Sequence, residues 1–209
     1  MQLPGDIHFY QLKYDLGEVA RWGSFLSAVE VERRGLMKAE SRKRSFLLGR
    51  AALRMLLGDL TGAAPAEIEL DILNNGRVVA PNTPFHVSIA HSGDRAVAIA
   101  SKRRVGIDIE QIVDKPESLL RFVLHEDEFD HVNALPVPNH HRLFLCWTMK
   151  EAVLKAMGTG LLRSPKTVRL DVSYDEGQAN VKEDEGFCWE VLFEQQDDYM
   201  LAVAAEPLM

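Results

Sequence analysis

The segment Val105-Gly106-Ile107-Asp108-Ile109-Glu110 constrains this chain most. Its strict alternation reads as a strand with one face in a core. Val105, Ile107 and Ile109 share the apolar face; Gly106, Asp108 and Glu110 share the other. Two carboxylates this close repel unless a cation lies between them. Glycine is a poor strand residue, and below the two acids it is expected to leave room for something bulky. A second segment, Trp147–Lys155, reads as helix and places Trp147, Glu151 and Lys155 along one side at i, i+4 and i+8. Lys150 points elsewhere and is expected to reach the same anion from another side. Gathered by folding, Asp108, Glu110 and Glu151 would offer carboxylates to a hard divalent cation, with phosphate oxygens completing its shell. Lys155 would neutralise charge on a phosphoryl group as it transfers. Without that convergence the same residues are a half-exposed strand and a solvated Glu–Lys helix pair worth tenths of a kcal/mol.

The chain has 209 residues, enough for one large domain or two small ones, and 46% hydrophobic residues supply a core. Met1–Tyr10 carries no basic-then-apolar leader, and apolar runs stay far below the roughly 20 residues a bilayer requires. A cytoplasmic protein without membrane association is therefore expected. Cys146 and Cys188 form neither a disulfide framework nor metal-knuckle spacing and read as reduced core thiols. The net charge of −7 is unevenly spread. Arg33–Arg54 holds eight bases against the single acid Glu40, while Asp171–Asp198 holds ten acids against Lys182. A basic patch on an acidic protein suits an anionic ligand or an acidic partner better than nucleic acid.

Along the chain, Ser24 is expected to cap a short helix to about Gly35, and a longer helix follows near Ala39–Asp59. Glu67–Leu73 alternates as a strand, and Asn75-Gly76 signals a hairpin returning through Val78–Ala80. Phe85–Ala90, Arg95–Ser101 and Arg104–Glu110 read as strands. Glu117–Leu124, Glu126–Ala134 and Asn139–Met157 read as helices. Lys166–Tyr174, Gln178–Lys182, Cys188–Glu194 and Tyr199–Ala205 read as closing strands. Asp94–Ala100 has an echo in Asp198–Ala204. The expected fold class is α+β: two similar halves of antiparallel strands plus helices, residues 1–103 and 104–209, packed as an intramolecular pseudo-dimer.

Ser88-Ile89-Ala90-His91-Ser92-Gly93 ends a strand. It lacks the Gly-x-Ser-x-Gly elbow of a hydrolase nucleophile and reads better as a phosphate clamp. His140-His141 and the run His125–Glu128 read as exposed helix-start or loop residues rather than metal ligands.

Taken together, Val105–Glu110, the stretch from Trp147 to Leu161, the upstream Ile-Ala-His-Ser-Gly, the Asn-Gly-Arg hairpin and the Arg44–Arg54 helix resemble the 4′-phosphopantetheinyl transferases, specifically the surfactin-synthetase-activating type with two fused halves. Phe129 fits the acidic-aromatic stretch of that family. The likeness spans roughly Arg33 to Leu162. It implies transfer of the phosphopantetheine arm of coenzyme A to a serine of a carrier protein, with release of adenosine 3′,5′-bisphosphate. It implies Mg²⁺, with Mn²⁺ as the alternative, held by Asp108, Glu110 and Glu151. Lys155 matches a diphosphate contact, and His91 and Ser92 match contacts to the coenzyme phosphates. Arg77 stands where a lysine near the adenine is usual, and Arg44 and Arg50 are candidates for the nucleotide 3′-phosphate. Coenzyme A is expected between the halves, with Glu151 or a metal-bound water as base. The partner is an acidic acyl or peptidyl carrier, bound transiently, of the fatty-acid, polyketide or nonribosomal-peptide kind. With both halves on one chain, a monomer is expected. Two departures touch the nucleotide grip: Ala90 replaces a usual serine, and Gly76-Arg77-Val78 lacks a usual proline.

Two rival functions are a non-catalytic regulator that binds coenzyme A and a Mg²⁺-dependent phosphohydrolase using the same acids. The acids at Asp108 and Glu151 speak against the first. Release of phosphopantetheine without a carrier would mark the second.

Overall fold

Strand order carries most of the architecture. The computed structural model describes residues 1–184 and 186–208, and at Leu161 the backbone alone. Glu185 of the acidic stretch, Met209 and the Leu161 side chain of the helix motif lie outside the described residues. The chain divides into two units, one of Gly5–Lys102 and one of Arg103–Met209 with Met1–Pro4. It is a mixed α+β protein with an antiparallel sheet in each half.

The Gly5–Lys102 unit runs β1 (Ile7–Lys13), α1 (Val19–Gly23), α2 (Ala28–Gly35), α3 (Glu40–Thr61), β2 (Asp71–Ile72), β3 (Val78–Val79), β4 (His86–Ser92) and β5 (Arg95–Ser101). Its main sheet has the order β1-β5-β4. One face of β5 offers Ala96, Ala98 and Ala100, and α3 lies on it with Leu47, Leu48, Leu53, Leu56 and Leu57 buried. Each such leucine contributes about 1.5–3 kcal/mol by leaving water.

Ser24 does not start a helix. It closes α1, its hydroxyl donating to the Arg21 carbonyl at 2.7 Å. Ser27 caps α2 instead, in a reciprocal box with Glu30. The strand expected over Glu67–Leu73 shrinks to Asp71–Ile72. The physical reason is that the Ile68 carbonyl accepts from buried Arg54 rather than from a neighbouring strand. β1 was not foreseen; six of its seven residues are buried or half-buried, so neither face is cleanly polar.

The Arg103–Met209 unit runs β6 (Val105–Gln111), α4 (Leu120–Val123), α5 (Phe129–Asn133), α6 (Asn139–Met157), β7 (Val168–Ser173), β8 (Gln178–Glu183), β9 (Cys188–Gln196) and β10 (Tyr199–Ala205), in a sheet ordered β6-β10-β9-β8-β7. The bounds of α6 and β10 match the sequence expectation residue for residue. The two expected helices before α6 are reduced to short α and 3₁₀ turns. Cys146 is buried, and burial pushes its thiol up to about 12. Cys188 is exposed, so it is not a core thiol. No helix among the described residues is long and apolar enough to cross a membrane.

The echo seen in the sequence is structural. β5 is the middle of its three strands and β10 the second of its five, and each is flanked by the first strand of the unit and by a hairpin partner. Tyr14 donates to the Asp94 carbonyl at 2.7 Å, and Ile112 donates to the Asp198 carbonyl at 2.6 Å. Both hairpins turn through a residue of positive φ, Gly93 at 56° and Asp197 at 55°. Glycine and aspartate are among the few residues that accept that conformation readily.

Candidate active site

β6 and α6 build the site within the Arg103–Met209 unit. α6 lies against β6 and β10, over Ala202 and Ala204, with Ala152 and Ala156 fully buried. Gly106 makes the approach feasible. A Cβ there would stand 2.5 Å from the Ala156 backbone nitrogen and closer still to the Ala152 carbonyl oxygen. The room left by Gly106 is thus filled by the α6 backbone, not by a ligand. This corrects the sequence expectation.

The close approach brings the two sets of polar side chains together. Lys155 Nζ is 2.6 Å from Asp108 Oδ1 and donates to the Ile107 carbonyl at 3.2 Å. Trp147 Nε1 donates to Glu110 Oε1 at 3.4 Å. Asp108 and Glu151 are each 5% exposed. Asp108 Oδ2 and Glu151 Oε1 are buried and accept no hydrogen bond. Burial raises the Asp108 carboxyl to about 6 against the pull of Lys155, with Glu110 adding to the rise. Burial raises Glu151 to about 7, helped by the neighbouring charges of Asp108 and Glu110. Buried acceptors without donors are costly, and mutually repelling carboxylates call for a cation. Among the described residues, no three His, Cys, Asp or Glu side chains are drawn close enough to ligate one ion. The fit to a hard divalent cation therefore rests on the two orphaned carboxylate oxygens and the all-oxygen donor set.

Lys150 does not reach this group. It is fully buried, 2.6 Å from Glu128 Oε2, and donates to the Val123 carbonyl at 3.0 Å. The expectation that it faces the same anion is overturned because its ammonium lies inside the core. Glu128 was expected to be exposed with its neighbours; Glu126 and Asp127 are, but Glu128 is buried. Sequence reasoning missed this partner, although Glu128 lies four residues before the core residue Val132. His140 is exposed and His141 half-buried at the start of α6.

The remaining candidates belong to the Gly5–Lys102 unit. His91 is exposed and Ser92 half-buried at the end of β4. Arg77 is half-buried just after the β2–β3 turn. Arg44 is exposed on α3, its guanidinium 4.8 Å from the Tyr14 ring centre. Arg50, expected to offer itself to a phosphate, is 4% exposed, with Nε 3.0 Å from Glu30 Oε1. Arg54 shares the same carboxylate at 2.6 Å. Arg50 is thus a buried ion-pair member rather than a displayed anion contact. Burial lowers it to about 10 despite Glu30.

Residues 104–204, which contain all of β6 and α6, match the family model of the 4′-phosphopantetheinyl transferase superfamily. The matches that follow support that family for this chain and a transferase enzyme. The chain is 27% identical over 171 residues to the 4′-phosphopantetheinyl transferase HetI of Nostoc sp., covering 77% of this chain and 72% of that protein. It is 30% identical over 143 residues to the 4′-phosphopantetheinyl transferase psf-1 of Bacillus pumilus, covering 66% of this chain and 60% of that protein. It is 28% identical over 196 residues to a 4′-phosphopantetheinyl transferase of Bacillus subtilis, covering 86% and 87%.

Proposed function

We propose that this chain moves the 4′-phosphopantetheine arm of coenzyme A onto a serine of an acyl or peptidyl carrier protein, dependent on Mg²⁺ or alternatively Mn²⁺, and releases adenosine 3′,5′-bisphosphate. The supporting observation is the convergence of Asp108 and Glu151, each with a buried unpartnered oxygen, beside Lys155. Asp108 and Glu151 would hold the metal, with Glu110 drawn in as the third carboxylate on binding. A bound Mg²⁺ supplies charge neutralisation and Lewis-acid polarisation at a diphosphate.

The chain's own residues do the rest. Glu151, with a buried oxygen that has no hydrogen-bond partner, is the proposed general base and takes the serine hydroxyl proton. The serine oxygen bonds to the β-phosphorus as the bond from that phosphorus to the nucleotide-side oxygen breaks. The Lys155 ammonium, tethered by Asp108 and the Ile107 carbonyl, balances charge on the departing phosphate. Positioning and charge neutralisation carry most of the acceleration in such transfers. His91, Ser92, Arg44 and Arg77 are the residues proposed for the coenzyme phosphates and nucleotide. The exposed part of the basic Arg33–Arg54 stretch, including Arg33, Lys38, Arg42 and Arg44, suits an acidic carrier. The proposal extends to a surfactin-synthetase-activating type of enzyme that works as a cytoplasmic monomer.

The test is a panel of apo carrier proteins incubated with coenzyme A and Mg²⁺ and weighed by mass spectrometry. A gain of one phosphopantetheine arm on the serine is expected. Phosphopantetheine released without any carrier would indicate a phosphohydrolase instead. Coenzyme A binding with no modification of any carrier would indicate a regulator.

A further inference from the structure

Lys150 is the residue immediately before Glu151, yet every contact described for it lies inside the protein. Its ammonium meets Glu128 and the Val123 carbonyl. Glu128 is fully used in turn: Oε1 accepts from the Leu170 backbone at 2.8 Å, and Oε2 accepts from the His125 backbone at 2.6 Å. One buried pair therefore joins α6 to the end of α4, to the turn that opens α5, and to β7. β7 is at the edge of the sheet opposite β6. At the other edge α6 is held by the Gly106 contact and by Lys155 on Asp108.

We propose that Lys150 and Glu128 form a positioning pair that fixes the rotation of α6 and so aims Glu151 and Lys155 at β6. Lys150 and Glu151 are about 100° apart around the helix. Restraints in two directions so far apart set rotation as well as height. A side-chain tip lies about 5–6 Å from the helix axis, so a rotation of about 20° displaces it by about 2 Å. A misplacement of about 1 Å can cost about 10²-fold in rate. The pair is well suited to this task because a buried charge without its partner is strongly unfavourable. The ammonium and carboxylate thus admit one arrangement of α6 and penalise others. A direct grip on substrate phosphate is ruled out for Lys150, since its side chain is 0% exposed.

The inference rests on the transfer activity proposed above, so its test has two readouts. Lys150→Met, Glu128→Gln and the double variant are compared with the parent chain for kcat and for KM of coenzyme A. They are also compared for amide hydrogen exchange over residues 120–128, 145–157 and 168–172. Each single variant leaves one buried charge alone and is expected to lose at least about tenfold in kcat, with KM for coenzyme A within about twofold. The double variant removes both charges and keeps an acceptor at residue 128. It is expected to recover most of that loss. Where the single variants fail to fold, the folded double variant alone decides, with kcat expected within about threefold of the parent. A double variant as slow as Lys150→Met, or a Lys150→Met variant whose defect lies in KM for coenzyme A, overturns the proposal. If the parent chain transfers nothing, the functional reading fails on its own and exchange still decides. Faster exchange in the three segments of Lys150→Met, reversed in the double variant, supports positioning; unchanged exchange overturns it.

Discussion

Gly106→Ala is the sharpest probe of how the site is assembled. The added methyl would lie 2.5 Å from the Ala156 nitrogen and closer to the Ala152 carbonyl oxygen. Both are backbone atoms of α6, so no side chain can turn away to admit it. Ordinary contact begins at 3.4 Å, and α6 must therefore retreat from β6 by about 1 Å or more. The retreat stretches the Lys155–Asp108 pair from 2.6 Å to about 3.5 Å, the limit of a useful hydrogen bond. It also opens the alanine-lined seam between α6 and β10. Overpacking of this kind costs about 1–3 kcal/mol, and backbone-on-backbone collision puts it at the upper end. A cost of about 3 kcal/mol lowers Tm by roughly 6–12 °C in a protein of this size. The transfer rate is expected to fall by about 10²-fold, because the reacting groups move by about 1 Å. Thermal unfolding and mass-spectrometric carrier modification measure the two effects. Gly49→Ala in α3 is the control: its Cβ meets only Ile89 Cδ1 at 3.6 Å. Alanine also favours a helix over glycine by about 1 kcal/mol, so this variant is expected to be unchanged or more stable. A Gly106→Ala chain with the parent's Tm and rate would refute the account of the site.

Other outcomes follow from the same contacts. Asp108→Ala and Glu151→Gln are expected to fold yet leave an apo carrier unmodified, and Mg²⁺ should raise the Tm of the parent chain but not of either variant; full modification by both variants would end the metal assignment. In metal-free protein, Asp108 and Glu151 hold their protons more tightly folded than unfolded, at about 6 and about 7 against 3.8 and 4.5. Their contribution to stability is therefore least when both are ionised above about pH 7 and grows as pH falls toward about 4; a pH series of Tm should show this trend weakened in Asp108→Asn combined with Glu151→Gln, and identical slopes would count against it. Ser27→Ala removes the cap of α2 and should cost about 1 kcal/mol, read as a Tm lower by about 2–4 °C, whereas Ser24→Ala should cost less because that hydroxyl makes only a C-terminal contact to Arg21.

What the sequence made legible was apolar content between clear stop signals. α6 and β10 are buried over most of their length, α6 stopping at Gly158 and β10 starting after Asp198. The meeting of β6 with α6 was also legible, since alternation put Asp108 with Glu110 and helical spacing put Glu151 with Lys155. What stayed hidden depends on partners distant in sequence. The shortening of the Glu67–Leu73 strand comes from Arg54 taking the Ile68 carbonyl, which no local pattern reports. Glu128 and Lys150 are separated by 22 residues, and each alone looks like an ordinary surface charge. Arg50 and Arg54 belong to a dense basic run, and their burial requires Glu30 to arrive from α2. Gly106 breaks strand propensity for a reason, and the reason is an approaching backbone rather than a ligand.

The duplicated topology explains why one unit carries the acids. In the first unit Lys13 pairs with Arg95, and in the second Gln111 pairs with Tyr199. Aligning these pairs sets Leu12 beside Glu110, Tyr10 beside Asp108 and His8 beside Gly106. Tyr10 and Leu12 pack into the core under α3, as Asp108 and Glu110 face α6. The acids therefore occupy positions that the fold makes apolar in its other copy, and Lys155 beside Asp108 offsets part of the cost of putting charge there. His8, whose imidazole lies 6.2 Å from the Phe85 ring, stands where the second unit has Gly106. Acids, glycine and close helix thus form one set: without the glycine the helix cannot approach, and without the helix the acids would have neither Lys155 nor Glu151 beside them.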